Sequence, residues 1–278
     1  MSDRPLQHAV ADDGTAIVGR VEGQGPPLVF APASPSDGTF EWAPMSPHLT
    51  EQFTCYVMDR GSRARNADEQ DHSPQRLIGD VVAFIDSIGE QVGLVGSSWS
   101  GMLAIGAARR TSAVRALGLW EPLVIEATSE QDRTRFEQTL DEVGQLLDEG
   151  RLVDAARTWQ AASGIISDEQ FAAIPDEVFD AIAPAMPIHH EEFRQAGQAP
   201  GPTPTEPSEL AALTVPVLLL HGAASVPFFV NGVDHVAGHV ADATVRSIPS
   251  VGHGGWVFAP DVVAEELTHF FAGVLDPT

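Results

Sequence analysis

Short apolar runs alternate with amphipathic segments along most of the chain. Five of the runs are uninterrupted, as expected for strands that are buried on both faces of a sheet: residues 28–31, 55–58, 92–95, 114–120 and 215–220. Helical patterns separate several of these runs, and in residues 74–88 the apolar positions recur on one helix face. This alternation predicts an α/β fold with a doubly wound, mostly parallel sheet.

Additional elements extend the sheet towards both ends of the chain. An Asp-Asp-Gly turn signal at 12–14 separates two extended segments, 7–10 and 16–22, and predicts a hairpin. The C-terminal pattern predicts a helix at 228–240, a strand at 244–248 and a helix at 261–274. The predicted sheet therefore has eight strands.

The alternation stops after Trp120. No strand-like run occurs between residues 126 and 207, where helical patterns cover 131–148, 152–162 and 176–182. A Pro-rich stretch at 197–207 predicts a stiff connector at the end of this region. We therefore predict a helical lid, residues 126–207, inserted into a core domain formed by residues 1–125 and 208–278.

The bulky residues of the predicted lid have two interpretations. They either line an apolar pocket or only hold the lid together: Phe136, Trp159, Phe171, Phe179, Met186 and Phe193. The lid also contains the run His189, His190, Glu191 and Glu192. Four consecutive residues of a helix cannot all face one point, so we expect a solvated face here and no metal site.

The charge of the chain limits its partners. All 15 basic residues are Arg, against 39 Asp and Glu, and the formal net charge is −24. Such a surface repels nucleic acid and anionic lipid, so we expect a small-molecule substrate as the partner. The acidity reflects either salt adaptation or a GC-rich genome, and a homo-oligomer is compatible with the sequence. Since neither a signal peptide nor a membrane-spanning run occurs, we expect a cytoplasmic location.

Cys55 is the single cysteine of the chain, which excludes an internal disulfide and a Cys-rich metal site. It lies within an apolar run that predicts a strand. We therefore expect a buried, unreactive thiol.

The segment 96–101 contains the candidate nucleophile. It reads Gly-Ser-Ser-Trp-Ser-Gly and lies between a predicted buried strand and a predicted helix. A turn this tight exposes its central side chain at the carboxyl edge of the sheet and requires small neighbours. Ser98 takes that place at a helix N-terminus, where a developing anion is favoured. Ser100 departs from the G-x-S-x-G pattern, and the alternative interpretation is a Ser-rich helix cap.

A nucleophilic serine needs a base, which a histidine in a loop after the last strand supplies. Among the ten histidines, His253 fits this position, because it lies in a Gly-rich segment after the predicted strand 244–248. We therefore predict that His253 is the base.

Together these features resemble the α/β-hydrolase superfamily. The resemblance extends from residues 28–31 through the Asp-Arg-Gly segment 59–61, the turn at Ser98 and the lid to His253. It implies an eight-stranded α/β-hydrolase sheet, a Ser-acid-His triad and no cofactor or metal. An Asp nucleophile is absent, which disfavours dehalogenase and epoxide hydrolase chemistry.

One departure from the family concerns the acid. Members usually carry an Asp in a Gly-x-x-Asp segment after the lid, where this chain has Gly-Ala-Ala-Ser at 222–225. Some members place the acid after the preceding strand, a position that Glu121 matches. A carboxylate there is costly to bury unless it is paired. We predict Glu121 as the acid, with Asp234 in reserve.

A second departure concerns the oxyanion loop. The usual His-Gly pair is replaced by Ala-Pro-Ala-Ser at 31–34, and proline has no N–H to donate. The predicted donors are the backbone N–H of Trp99 and that of Ala33 or Ser34. A Pro-containing oxyanion loop combined with Glu121 is similar to the zearalenone-type lactonases.

These observations predict a cofactor-independent serine hydrolase that cleaves an ester or lactone of a small, largely apolar molecule through an acyl-enzyme. Three alternatives remain open. The same triad serves acyltransferases and perhydrolases, and it serves enzymes that hydrolyse a carbon–carbon bond. A non-catalytic binder that kept the fold is the third, since the turn and both departures are atypical.

Overall fold

The computed structural model of the chain describes residues 5–31, 39–60, 71–162, 171–172 and 174–275. Its centre is one eight-stranded sheet in the order β1-β2-β4-β3-β5-β6-β7-β8. The strands are β1 Leu6–Val10, β2 Ala16–Gly23, β3 Pro27–Ala31, β4 Thr54–Asp59, β5 Val92–Ser97, β6 Val114–Trp120, β7 Val217–Gly222 and β8 Ala243–Ile248.

The strand directions follow the predicted pattern. β1 and β2 form the antiparallel hairpin, β2 runs antiparallel to β4, and the pairs from β4 to β8 are parallel. The α/β fold class is therefore confirmed. β7 begins at Val217, two residues later than its apolar run, because Pro216 has no N–H for a ladder bond.

Helices cover both faces of the sheet. They are α1 Thr39–Trp42, α2 Pro74–Asp86, α3 Ser98–Ala108, α4 Glu130–Asp148, α5 Leu152–Ala162, α6 Asp176–Ile182, α7 Met186–Ala196, α8 Pro207–Ala211, α9 Pro227–His239, α10 Gly255–Phe258 and α11 Pro260–Leu275. One apolar cluster lies beneath α2, α3 and α9, and a second lies beneath α11. None of the helices in the described part of the chain has the length and apolar character that a membrane crossing requires.

The regular elements that the structure describes between β6 and β7 are all helices, and they include α4 to α8. Part of this segment has a core of its own, in which Val143, Phe179 and Met186 are buried. Phe136 and Phe193 pack instead against the main core. The first set therefore holds the segment together, and the second attaches it to the main core.

The cysteine lies where its apolar run predicts. Cys55 is in β4 and is fully buried. Burial raises the pKa of its thiol to about 12. The expectation of a buried thiol in a strand is confirmed, and its lack of reactivity stays a prediction.

Candidate active site

The turn between β5 and α3 has the strained geometry expected of a nucleophile turn. Ser98 is the first residue of α3 and has φ +47°, in the left-handed region that only a few per cent of non-glycine residues occupy. Its carbonyl accepts a 2.8 Å bond from the Leu123 N–H, which joins the turn to the loop after β6. Surrounding contacts must maintain such a backbone conformation.

Contacts around the turn explain the departure at Ser100. A Cβ at Gly96 would lie 2.6 Å from the Ser100 carbonyl oxygen, and a Cβ at Gly101 would lie 2.9 Å from Pro122. Glycine is therefore required at 96 and 101. Ser100 instead uses its side chain, since its Oγ accepts from the Ser97 N–H at 3.0 Å and donates to the Ala31 carbonyl at 2.6 Å.

His253 and Glu121 meet at the same edge of the sheet. Nδ1 of His253 lies 2.6 Å from Oε2 of Glu121, and the two side chains are 1% and 0% exposed. The imidazole stacks on Phe229 with a centroid distance of 3.5 Å and an interplanar angle of 7°. The His253 carbonyl accepts a 2.7 Å bond from Nε1 of Trp120. Side chain and backbone of the histidine are thus both held.

Nε2, the other ring nitrogen of His253, does not take part in the contact with Glu121. It is buried and has no hydrogen-bond partner among the described residues, so the structure does not pair it with Ser98. Nucleophile–base contacts are often long in enzymes without substrate and shorten in the reactive complex.

The carboxylate of Glu121 is bound on both oxygens. While Oε2 contacts the histidine, Oε1 accepts from the Gly222 N–H at 2.8 Å and from the Ser225 hydroxyl. The backbone of Glu121 has φ +41°, which turns the side chain at the end of β6. The reserve candidate, Asp234, is exposed on α9, and neither ring nitrogen of His253 has a hydrogen bond to it.

Sequence reasoning overlooked the part that Ser225 plays. It is the last residue of the Gly-Ala-Ala-Ser segment, which the sequence marks only by its missing carboxylate. In the structure its hydroxyl donates a hydrogen bond to the carboxylate of Glu121, which lies at the alternative position for the acid. The sequence signal that could have revealed this role is a side chain able to form hydrogen bonds, located near the position where family members usually carry the acid.

The predicted oxyanion donors are only partly described. Trp99 is the second residue of α3, where backbone N–H groups have no acceptor within the helix. Ala33 and Ser34 lie outside the described residues. Among the described residues, no group of three His, Cys, Asp or Glu side chains has an arrangement that could hold a metal ion.

The prediction of a solvated face at 189–192 is wrong. Glu192 is 1% exposed, and its Oε1 forms an ion pair with Arg60, the residue after β4. Burial raises the pKa of Glu192, against the opposing charge of Arg60. Burial also lowers the pKa of His189 to about 3, and Arg60 acts in the same direction. Sequence periodicity alone could not show that this face of α7 packs on the core.

Aromatic rings join α7 to the nucleophile turn. The rings of Phe193 and Trp99 lie 4.6 Å apart, and Trp159 and Phe136 surround Phe193 at 5.0 and 5.5 Å. Trp99 is 3% exposed. The residue after the nucleophile candidate is therefore covered by the helices between β6 and β7.

Comparisons with known proteins agree with this fold. The chain superposes on an alpha/beta hydrolase from Sphaerobacter thermophilus with a TM-score of 0.74 and 24% identity, covering 95% of this chain and 100% of that one. It superposes on an esterase from Rhodococcus sp. with a TM-score of 0.72 and 20% identity, covering 97% of this chain and 99% of that one. It superposes on a haloalkane dehalogenase from Bradyrhizobium elkani with a TM-score of 0.71 and 20% identity, covering 98% of each chain.

No curated protein sequence matches the chain. A family model described as "Alpha/beta hydrolase family" matches residues 28–266, which is most of the sequence. The chain therefore belongs to the alpha/beta hydrolase family.

Proposed function

We propose that the protein is a serine hydrolase that cleaves an ester or lactone through an acyl-enzyme. The observation that carries this proposal is the 2.6 Å contact between Glu121 and His253, whose side chains are both buried. Glu121 follows β6, which pairs with the strand that leads into the strained turn at Ser98. A carboxylate that holds one imidazole nitrogen fixes the tautomer and leaves the other nitrogen as a base. The unpartnered Nε2 of His253 is that nitrogen.

In the proposed reaction, Ser98 Oγ attacks the carbonyl carbon of the substrate while Nε2 of His253 takes the hydroxyl proton. The Glu121 carboxylate stabilises the imidazolium that forms. The Trp99 N–H, together with that of Ala33 or Ser34, binds the oxyanion of the tetrahedral intermediate. Its collapse breaks the bond to the leaving group, which receives the proton from His253. Water then attacks the acyl-enzyme with His253 as base, and the acid and Ser98 are released.

Two features favour an ester or lactone as the substrate. The nucleophile position holds a serine, whose product is an acyl-enzyme when the substrate has an activated carbonyl. Phe193 packs on Trp99, and Phe136 packs on Phe193, so this side of the site is rich in aromatic rings, which suits a small apolar acyl group.

The test measures hydrolysis of p-nitrophenyl acetate and of a small lactone by the protein and four variants. Ser98→Ala and His253→Gln should abolish turnover. Glu121→Gln should lower kcat by about a thousandfold or more, because the amide stabilises the wrong imidazole tautomer. Asp234→Asn is the matched control and should retain full activity, since Asp234 is exposed and forms no hydrogen bond with His253. Loss of activity in Asp234→Asn with an active Glu121→Gln would contradict the assignment of the acid.

A further inference from the structure

An ion pair that the proposed mechanism does not use joins α7 to the sheet. The guanidinium of Arg60, directly after β4, bonds to Glu192 near the middle of α7. Their side chains are 3% and 2% exposed. Desolvation of two buried charges can exceed the attraction between them, and apolar side chains often stabilise such positions equally well. A gain in stability therefore does not explain why this ion pair is buried. The pair does fix the position of α7 on the sheet, and this effect offers an explanation.

This position places α7 against the nucleophile turn. Phe193, the neighbour of Glu192, contacts the Trp99 ring at 4.6 Å, and the His189 ring lies 5.0 Å from Phe193. Trp99 directly follows the strained residue Ser98. A shift of α7 along its axis would thus move the side chain that covers the turn.

Polar contacts of Glu192 also connect α7 to the turn. The Trp99 side chain interacts with the Glu192 carboxylate and acts with Arg60 against the effect of burial, which raises the pKa of Glu192. Nδ1 of His189 lies 4.0 Å from Oε2 of Glu192. A 2.8 Å bond from the His72 N–H to the side chain of Gln195 gives α7 a further attachment. Glu192 therefore links Arg60 to the residue that follows Ser98.

We propose that Arg60 and Glu192 are positioning residues for catalysis. The pair fixes α7 on the Trp99 side chain, and this contact helps to hold the left-handed backbone at Ser98 and the Trp99 N–H that receives the oxyanion. A sparsely populated backbone conformation persists only when its surroundings determine it, and the α7 contact is one such constraint. The inference rests on the proposed function, in which that N–H is an oxyanion donor.

The experiment compares three variants with the native protein. Glu192→Gln removes one charge, and the double variant Arg60→Met with Glu192→Leu removes both and keeps an apolar fill. Glu191→Gln is the matched control, because Glu191 directly precedes Glu192 on α7 and its ion pair with Arg194 lies at the surface. The amide oxygen of the introduced glutamine can still accept the hydrogen bond that Gln195 donates to Glu191. Each protein is tested for folding by circular dichroism, for its rate of labelling by a fluorophosphonate and for kcat and KM on p-nitrophenyl acetate. Hydrogen exchange is measured for the peptide covering 186–196.

In the folded double variant we expect labelling rate and kcat to fall by about tenfold or more with KM nearly unchanged, because a small misplacement of an oxyanion donor slows the chemical step. Exchange in 186–196 should be faster, and Glu191→Gln should match the native protein throughout. Native labelling rate and kcat in a folded double variant would overturn the proposal and leave the proposed function intact. Absence of labelling in both native protein and Glu191→Gln would overturn the proposed function and this proposal together.

Discussion

Ser225 provides a direct test of how the acid is held. Its hydroxyl donates to Oε1 of Glu121, which also accepts the Gly222 N–H at 2.8 Å. In Ser225→Ala the carboxylate keeps one of these two donors and its contact with His253. We therefore expect a folded protein whose Glu121 side chain is less firmly oriented.

The magnitude follows from the number of donors. A hydrogen bond to a charged group contributes about 1.5–3 kcal/mol. Because the Gly222 N–H remains, the lower end applies, and about 1.5 kcal/mol corresponds to about a tenfold loss in kcat. KM should change little, since Ser225 contacts the acid and has no place in the proposed reaction as a substrate ligand.

A double-mutant cycle measures whether the effect passes through Glu121. It compares kcat for p-nitrophenyl acetate in the native protein, Ser225→Ala, Glu121→Gln and the double variant. The tenfold effect of Ser225→Ala should largely disappear in the Glu121→Gln background, because the ionised acceptor is already absent. Ser247→Ala is the control and should leave kcat unchanged, because Ser247 is an exposed residue of β8. An equal loss in both backgrounds would refute the assignment of Ser225 to the acid.

Three further predictions concern stability and reactivity. Cys55 should resist iodoacetamide in the native state and react in urea, because burial raises its pKa to about 12; mass spectrometry detects the adduct. The pKa of His189 is lowered from 6.5 to about 3, so its contribution to the free energy of unfolding is present above pH 6.5 and is lost as pH falls towards 3. Urea unfolding of His189→Phe should therefore depend less on pH across that window than unfolding of the native protein does. Since the net charge is −24, raising KCl from about 0.05 to 0.5 M should raise Tm, because the shorter Debye length screens self-repulsion; an unchanged Tm in a thermal melt would contradict this.

The positions of the central strands were predictable because β3, β5, β6 and β7 are buried along nearly their whole length. Their residues form unbroken apolar runs, and the run at 114–120 coincides with β6. The order of elements then places Ser98, Glu121 and His253 after the carboxyl ends of β5, β6 and β8, which run parallel in one sheet. Contact between Glu121 and His253 agrees with that placement.

Contacts that depend on packing between distant elements were not predictable from sequence. Whether Glu192 faces solvent or Arg60 depends on how α7 lies on the core, and 132 residues separate the two side chains. The stacking of Phe229 on His253 likewise requires the position of α9 beside the loop after β8. Local periodicity shows which face of a helix is polar, but it does not show whether a residue on another element pairs with that face in the folded core.

The most direct test of the proposed chemistry is intact-mass spectrometry after treatment with a fluorophosphonate. We predict one adduct on the native protein, located by peptide mapping at Ser98, and none on Ser98→Ala. His253→Gln should label far more slowly, because it lacks the base that activates the serine. A folded native protein that forms no adduct, or an adduct that persists in Ser98→Ala, would contradict the account.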